Sequence, residues 1–167
     1  MNCRNCGAPM RLRQDQQCLH CDYCGNIFYP DRNEDGVRVL GQPSGRPCPV
    51  CATGLEQATL DEHPVAYCAR CKGMLVDMSI FVDVIELMRS RRGEPGAALK
   101  PADPRQLQRR LECPKCHRPM DTHFYGGPGN VVIDDCSRCQ LNWLDYGEMA
   151  RIASAPDRTY SEAVTTF

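Results

Sequence analysis

Twelve of the thirteen cysteines in this 167-residue chain stand in CxxC pairs: Cys3/Cys6, Cys21/Cys24, Cys48/Cys51, Cys68/Cys71, Cys113/Cys116 and Cys136/Cys139. Two thiolates three residues apart on a tight turn can be aimed at one ion. Two such turns brought together supply four sulfur ligands to a tetrahedral site, at about 2.3 Å each. Paired cysteines could instead oxidise to disulfides, and compartment decides between the two. The chain opens MNCRNC, with no apolar h-region or cleavage site of a secretory signal. Its most apolar stretch, MLVDMSIFVDVIELM, is broken by Asp77, Asp83 and Glu86 and falls short of the roughly 18 apolar residues of a membrane span. These features predict a cytoplasmic chain without a membrane partner, in a reducing milieu where paired cysteines more often bind metal.

Four thiolates close a coordination shell, whereas a catalytic zinc keeps one position open for water or substrate. The expected chemistry is therefore structural, and the chain is not expected to be an enzyme. His20 and His117 flank knuckle cysteines, and His63 and His123 lie along hairpins. None falls at a ligand position, and hydrogen bonding or exposure is the expectation for each. The adjacent Asp134 and Asp135 face opposite sides of a strand, so they make no carboxylate dyad and are left a surface role. No P-loop, G-x-S-x-G or Gly-rich nucleotide fingerprint is present.

The elements that position the thiols must be small. Aromatic residues are 7% of the chain with a single Trp, while Gly and Pro number 13 each, so core material is scarce and turns are plentiful. A segment of about 40 residues rarely folds without a metal, disulfides or a partner, so each short unit needs its own clasp. The predicted fold is a small metal-stabilised α+β: three tandem zinc ribbons, with rubredoxin-like knuckles on β-hairpins, the second and third each followed by an α-helix. Hairpin tips differ in length (RQDQQ, DEHP, YGGPGN), and Phe28, Leu75 and Trp143 recur four residues beyond Cys24, Cys71 and Cys139 as the anchor of each small core. That register assigns Cys21/Cys24, not Cys18/Cys21, to the first site. Cys18 becomes a buried small hydrophobe, with an oxidant-sensing thiol as the alternative.

The predicted organisation is a first ribbon with an added strand (1–41), a linker (42–47), a second ribbon with an amphipathic helix (48–92), a linker with a short helix through RQLQRRL (93–112), a third ribbon with its helix (113–155) and an unassigned tail (156–167). Asp77 caps the second ribbon's helix, which carries Ile80, Phe81, Val84, Ile85 and Met88 at helical spacing and stops at Gly93. That stripe either packs on its own ribbon or forms a docking face. Asp145 with Glu148 three residues on resembles a capping box and starts a helix from Tyr146 to about Ser154. Pro30 takes the capping position in the first repeat, which has no helix signal.

The stretch from CPKC at 113 to CSRCQLNWLDYGEM ending at 149 resembles the bacterial zinc-ribbon family named for transcription factor IIB, and CPVC at 48 with CARCKGMLVD ending at 77 is similar to the same module with Leu75 in the Trp position. The resemblance implies that Cys48, Cys51, Cys68 and Cys71 bind one zinc and Cys113, Cys116, Cys136 and Cys139 another, and it brings no catalytic residue. Gln140 and Leu141 stand where the family often has small or Gly residues. The first repeat, with Cys3, Cys6, Cys21 and Cys24, is a more generic ribbon. Three Zn²⁺ ions are expected, with iron in the first site as the alternative.

The formal net charge is −1, and three filled four-thiolate sites bring it to about −7. A nonspecific nucleic-acid binder is expected to be basic, so a protein partner is the leading expectation, with a setting in transcription. Nucleic acid remains the alternative through Arg89, Arg91, Arg92, Arg105, Arg109 and Arg110, the one basic cluster of the chain.

Overall fold

The computed structural model describes residues 1–13, 18–91, 101–126 and 130–156. The expected stop at Gly93, Arg92, residues 93–100 of the second linker, the tail from 157 and parts of two hairpin tips lie outside them.

Each repeat follows one plan of knuckle, hairpin, knuckle and third strand. In the first these strands are β1 (Arg11–Arg13), β2 (Cys18–His20) and β3 (Ile27–Phe28). β4 (Val37–Pro47) follows, then β5 (Gly54–Leu60), β6 (His63–Tyr67) and β7 (Met74–Asp77) of the second repeat, with α1 (Met78–Arg91). A 3₁₀ turn (Pro104–Gln108) leads to β8 (Asp121–Phe124), β9 (Val132–Cys136), β10 (Leu141–Leu144) and α2 (Glu148–Ser154). β1-β2-β3 form a separate sheet, while β4-β5-β6-β7-β10-β9-β8 form one antiparallel sheet of seven strands.

The seam of the large sheet pairs like with like. β7 and β10 run antiparallel with Leu75 opposite Trp143, Met74 opposite Leu144 and Val76 opposite Asn142. Since Leu75 and Trp143 hold the same place in their repeats, the second and third ribbons are related as the halves of an isologous dimer, joined through their third strands. Gly73 permits this closeness: a Cβ there would lie 2.4 Å from a ring carbon of Trp143 and 2.9 Å from the Leu144 carbonyl oxygen.

Residues alternate between the two faces of the sheet. Met74 and Val76 join Leu60, Val65 and Leu144 under the helices, in a cluster that takes in Phe81, Val84, Ile85, Met149 and Ile152. Leu75, Leu141 and Trp143 lie on the other face with Leu55, Met120 and the cysteines of both repeats. Each of these two repeats keeps its own group of four cysteines, and pairing the third strands adds what the sequence did not lead one to expect: two undersized cores pool their apolar surface.

Two expectations change, and one open alternative is decided. Residues 42–47, expected as a linker, continue β4, with register shifts against β5 between Val39 and Pro43 and between Pro43 and Pro47. An edge strand tolerates prolines because one row of its N–H groups has no partner to lose. The stripe of α1 is covered: Phe81, Val84 and Ile85 are buried, the helix packs on α2, and Phe81 meets Tyr125 edge-on with ring centroids 5.6 Å apart. Phe81, Val84 and Met88 are therefore core or core-packed residues and not a free docking face. Finally, α2 begins at Glu148 after a left-handed Gly147, later than Tyr146. The Asp145 backbone N–H donates to Glu148 Oε2 at 2.7 Å, one half of a capping box, but the Asp145 carboxylate is taken by the Trp143 indole N–H at 3.0 Å and by Arg109. The capping half is missing because its acceptor is engaged elsewhere.

Candidate metal centres

Each CxxC pair sits on a turn built by backbone hydrogen bonds. In the first, the Gly7 N–H donates to the Cys3 carbonyl at 2.8 Å and the Cys3 N–H to the Ala8 carbonyl at 2.7 Å. The same two bonds recur from Ala52 and Cys48, from Lys72 and Cys68, and from His117 and Cys113. The residue after the second cysteine must turn left-handed: Gly7, Gly25, Ala52, Lys72, His117 and Gln140 all have φ between 57° and 76°. Gln140 therefore makes the same turn as a glycine, at a steric cost of about 1 kcal/mol.

These turns bring the sulfurs of Cys3, Cys6, Cys21 and Cys24, of Cys48, Cys51, Cys68 and Cys71, and of Cys113, Cys116, Cys136 and Cys139 into three groups, within each of which all lie inside 4.8 Å of one another. Individual contacts are 3.6 Å for Cys3–Cys24, 3.5 Å for Cys6–Cys21, 3.4 Å for Cys51–Cys68 and 3.7 Å for Cys116–Cys136. A tetrahedron with bonds of about 2.3 Å has sulfur edges of about 3.8 Å. The groups therefore fit one tetrahedral ion each and are too open for disulfides, whose sulfurs lie about 2.0 Å apart.

At least one thiol in each group is held low. N–H groups of Cys6 and Asn5 bring Cys3 to about 6, the Thr53 hydroxyl lowers Cys51, and the Arg118 N–H brings Cys116 to about 7. The Asn26 N–H lowers Cys24, and against the raising effect of burial the Cys71 N–H and the Thr53 hydroxyl bring Cys68 to about 6. Hydrogen bonds to sulfur favour the thiolate, the form that ligates metal. Exposure separates the sites. Cys6 and Cys24 are exposed in the first, whereas Cys51, Cys71, Cys116 and Cys139 are only partly so. Cys18 is fully buried in β2 and belongs to none of the groups. No histidine joins them either: His123 lies against Asp135 at 2.8 Å and His20 against Asp22 at 3.1 Å.

The expected surface role of Asp134 is corrected, because its side chain is fully buried beside Trp143. It accepts from the Thr122 hydroxyl at 2.5 Å and pairs with Arg109, which also reaches Asp145 at 2.5 Å. Gln106 donates to Glu148 Oε1 at 2.9 Å, so the segment before the third ribbon is strapped to it by charge and hydrogen bonds. Sequence reasoning missed this network; the only signal was an arginine in a segment beside two acidic clusters. The other described arginines of the basic cluster also make contacts within the chain, although the Arg105 side chain stays 89% exposed. Arg91 pairs with Asp61, Arg89 donates to the Ile152 carbonyl at 2.9 Å, Arg105 lies 3.4 Å from Asp103, and Arg110 donates to the Arg109 carbonyl at 2.8 Å. Among the described residues no helix is long and apolar enough to cross a membrane.

Hairpins closed by paired CxxC knuckles around four converging sulfurs define the zinc-ribbon class. Within it, the family described as transcription factor zinc-finger, the IIB-type zinc ribbon, matches residues 47–87 and again 112–155. The two matches cover just over half of the chain, which belongs to this family. The first repeat carries the same cysteine plan outside both. No curated protein and no solved structure matches the chain.

Proposed function

We propose that this protein is a non-catalytic, zinc-held assembly module that binds another protein. Its twelve paired cysteines would hold three Zn²⁺ ions, one per ribbon. Bound zinc would supply folding free energy, on the order of 10–16 kcal/mol per site in peptide systems at neutral pH. Four sulfurs leave no position for a substrate oxygen, which supports a structural role. Elemental analysis should give three zinc per chain, and a red colour in the pure protein would assign iron to the first ribbon instead.

The observation that carries the choice of partner is the state of the arginines. A phosphate-binding surface needs cations facing solvent, yet Arg109 is locked between Asp134 and Asp145, and Arg89 and Arg91 bind groups of their own chain. Thiolate-bound zinc adds negative charge to a chain already at −1. The family description makes the transcription machinery the first place to seek the partner.

The test is fluorescence anisotropy with labelled single-stranded and duplex nucleic acids across a salt series, alongside affinity capture with and without nuclease. The expected result is no salt-steep nucleic-acid binding and captured proteins that survive nuclease. Binding that weakens linearly in log salt and is lost on charge reversal at Arg105 and Arg110 would reverse the assignment.

A further inference from the structure

Three ribbons of one plan carry three third strands, and two of these, β7 and β10, pair with each other. β3 is the odd one. It pairs with β2 on one side, and among the described residues no strand lies along its other side. We propose that β3 pairs with β3 of a second copy of this chain, in the register already used by β7 and β10.

The geometry of β3 matches that of β7 strand for strand. Leu19 opposite Phe28 and His20 opposite Ile27 repeat Ala66 opposite Leu75 and Tyr67 opposite Met74. Ile27, Phe28, Tyr29 and Pro30 thus stand where the second ribbon has Met74, Leu75, Val76 and Asp77. Across the existing seam the Met78 N–H donates to the Gln140 carbonyl at 2.9 Å. By antiparallel alternation, the outward donors of that strand are then Met74, Val76 and Met78. Their counterparts are Ile27, Tyr29 and Asp31. Pro30 corresponds to Asp77, whose N–H the seam does not use, so the proline blocks nothing.

The surface left by the missing partner is also visible. Leu75 is 2% exposed and Trp143 not at all, whereas Phe28 is only half-buried. Ile27 is 45% and Tyr29 53% exposed where the second ribbon has fully buried Met74 and Val76. Edge strands are ordinarily protected by charge, bulges or a cover; this one offers Ile, Phe and Tyr along its outer side, with the Arg4 and Arg38 guanidinium groups 5.3 and 6.0 Å from the Phe28 and Tyr29 ring centroids. In the two-fold pairing Phe28 would meet Phe28 of the other copy, and Ile27 would lie directly opposite Tyr29, an aliphatic–aromatic cross-strand pair on one face.

The test is sedimentation equilibrium of the zinc-loaded full chain over a concentration series. The weight-average mass should rise from the 18.8 kDa of one chain to twice that value. Ile27→Lys and Tyr29→Glu should each return the protein to the single-chain mass. The double variant should restore the doubled mass, since the introduced lysine faces the introduced glutamate twice across the two-fold. Zinc content of each variant checks that the first ribbon stays folded; both positions are exposed, so three zinc per chain are expected throughout. A single-chain mass for the wild-type protein at all attainable concentrations overturns the proposal, as does a dimer unaffected by Ile27→Lys or a metal-replete double variant that stays monomeric.

Discussion

The first ribbon and the joined pair are built from the same parts and held by different means. The buried cluster of the first ribbon is Cys3, Met10, Leu19 and Cys21, two of them metal-site residues. The pair shares one sheet, with a helix-covered core on one face and Trp143 among eight knuckle cysteines on the other. A ribbon alone cannot bury enough apolar surface to hold itself, so the metal would dominate the stability of the first. Two ribbons that share a seam gain a core as well, and for them metal and burial act together.

Removing the metal should separate the two regions most strongly. Under a chelator at neutral pH the first ribbon, with Cys6 and Cys24 exposed, should lose its zinc first and its amide protection completely, a loss of about 10 kcal/mol or more. The seven-stranded sheet should retain part of its protection. Hydrogen exchange followed ribbon by ribbon reads this directly, and simultaneous loss in all three would break the contrast.

Truncating the anchors comes next. Trp143→Ala should cost about 3–5 kcal/mol in urea unfolding of the joined pair, while Phe28→Ala, half-buried, should cost under about 2 kcal/mol in the first ribbon.

The third prediction concerns pH. Burial, with the Asp145 carboxylate beside it, pushes Glu148 from its ordinary 4.5 up to about 7. Between those values the folded form binds more protons than the unfolded. The contribution is full below about pH 4.5 and is lost as pH rises through 7, on the order of 3 kcal/mol. The difference in urea midpoint between wild type and Glu148→Gln, measured from pH 5 to 8, isolates this from zinc loss at acid pH. The first ribbon should be unaffected.

The smallest effect lies in the knuckles. The first ribbon uses glycine at both left-handed positions, and the pair uses Ala52, Lys72, His117 and Gln140. Ala52→Gly should therefore stabilise the second ribbon by about 1 kcal/mol in thermal melts.

What could be read from the sequence was local. The grouping of twelve cysteines into three fours follows from CxxC spacing, because a knuckle spans a handful of residues and carries its own signal. The shared place of Phe28, Leu75 and Trp143 and the exclusion of Cys18 came from the same register. The seam was not legible: pairing Leu75 with Trp143 depends on the outer edge of each third strand, and no residue pattern within one repeat records what lies beyond its edge. The start of β4 was legible as an added strand, but it pairs with β5 of the second repeat and not with the first ribbon. Its continuation over 42–47 was hidden because Gly41, Pro43, Gly45 and Pro47 read as linker chemistry, although an edge strand accepts them. Arg109 looked like part of a basic run, since charge along the chain does not reveal that Asp134 and Asp145 fold over to meet it.

The seam also sets a schedule for synthesis. β7 ends at Asp77 and its partner β10 begins at Leu141. At ordinary elongation rates of about 5–20 residues per second, the partner leaves the ribosome roughly 3–13 seconds later. During that interval the second ribbon is complete in its cysteines but bare along Met74–Asp77. Neighbouring ribosomes on one message would then hold like-shaped half-molecules side by side, and a fast-folding third ribbon from the leading chain could dock on the trailing one. Correct pairing within one chain is therefore a race between translation and encounter, and slowing the ribosome across residues 78–140 should raise the yield of interlocked chains.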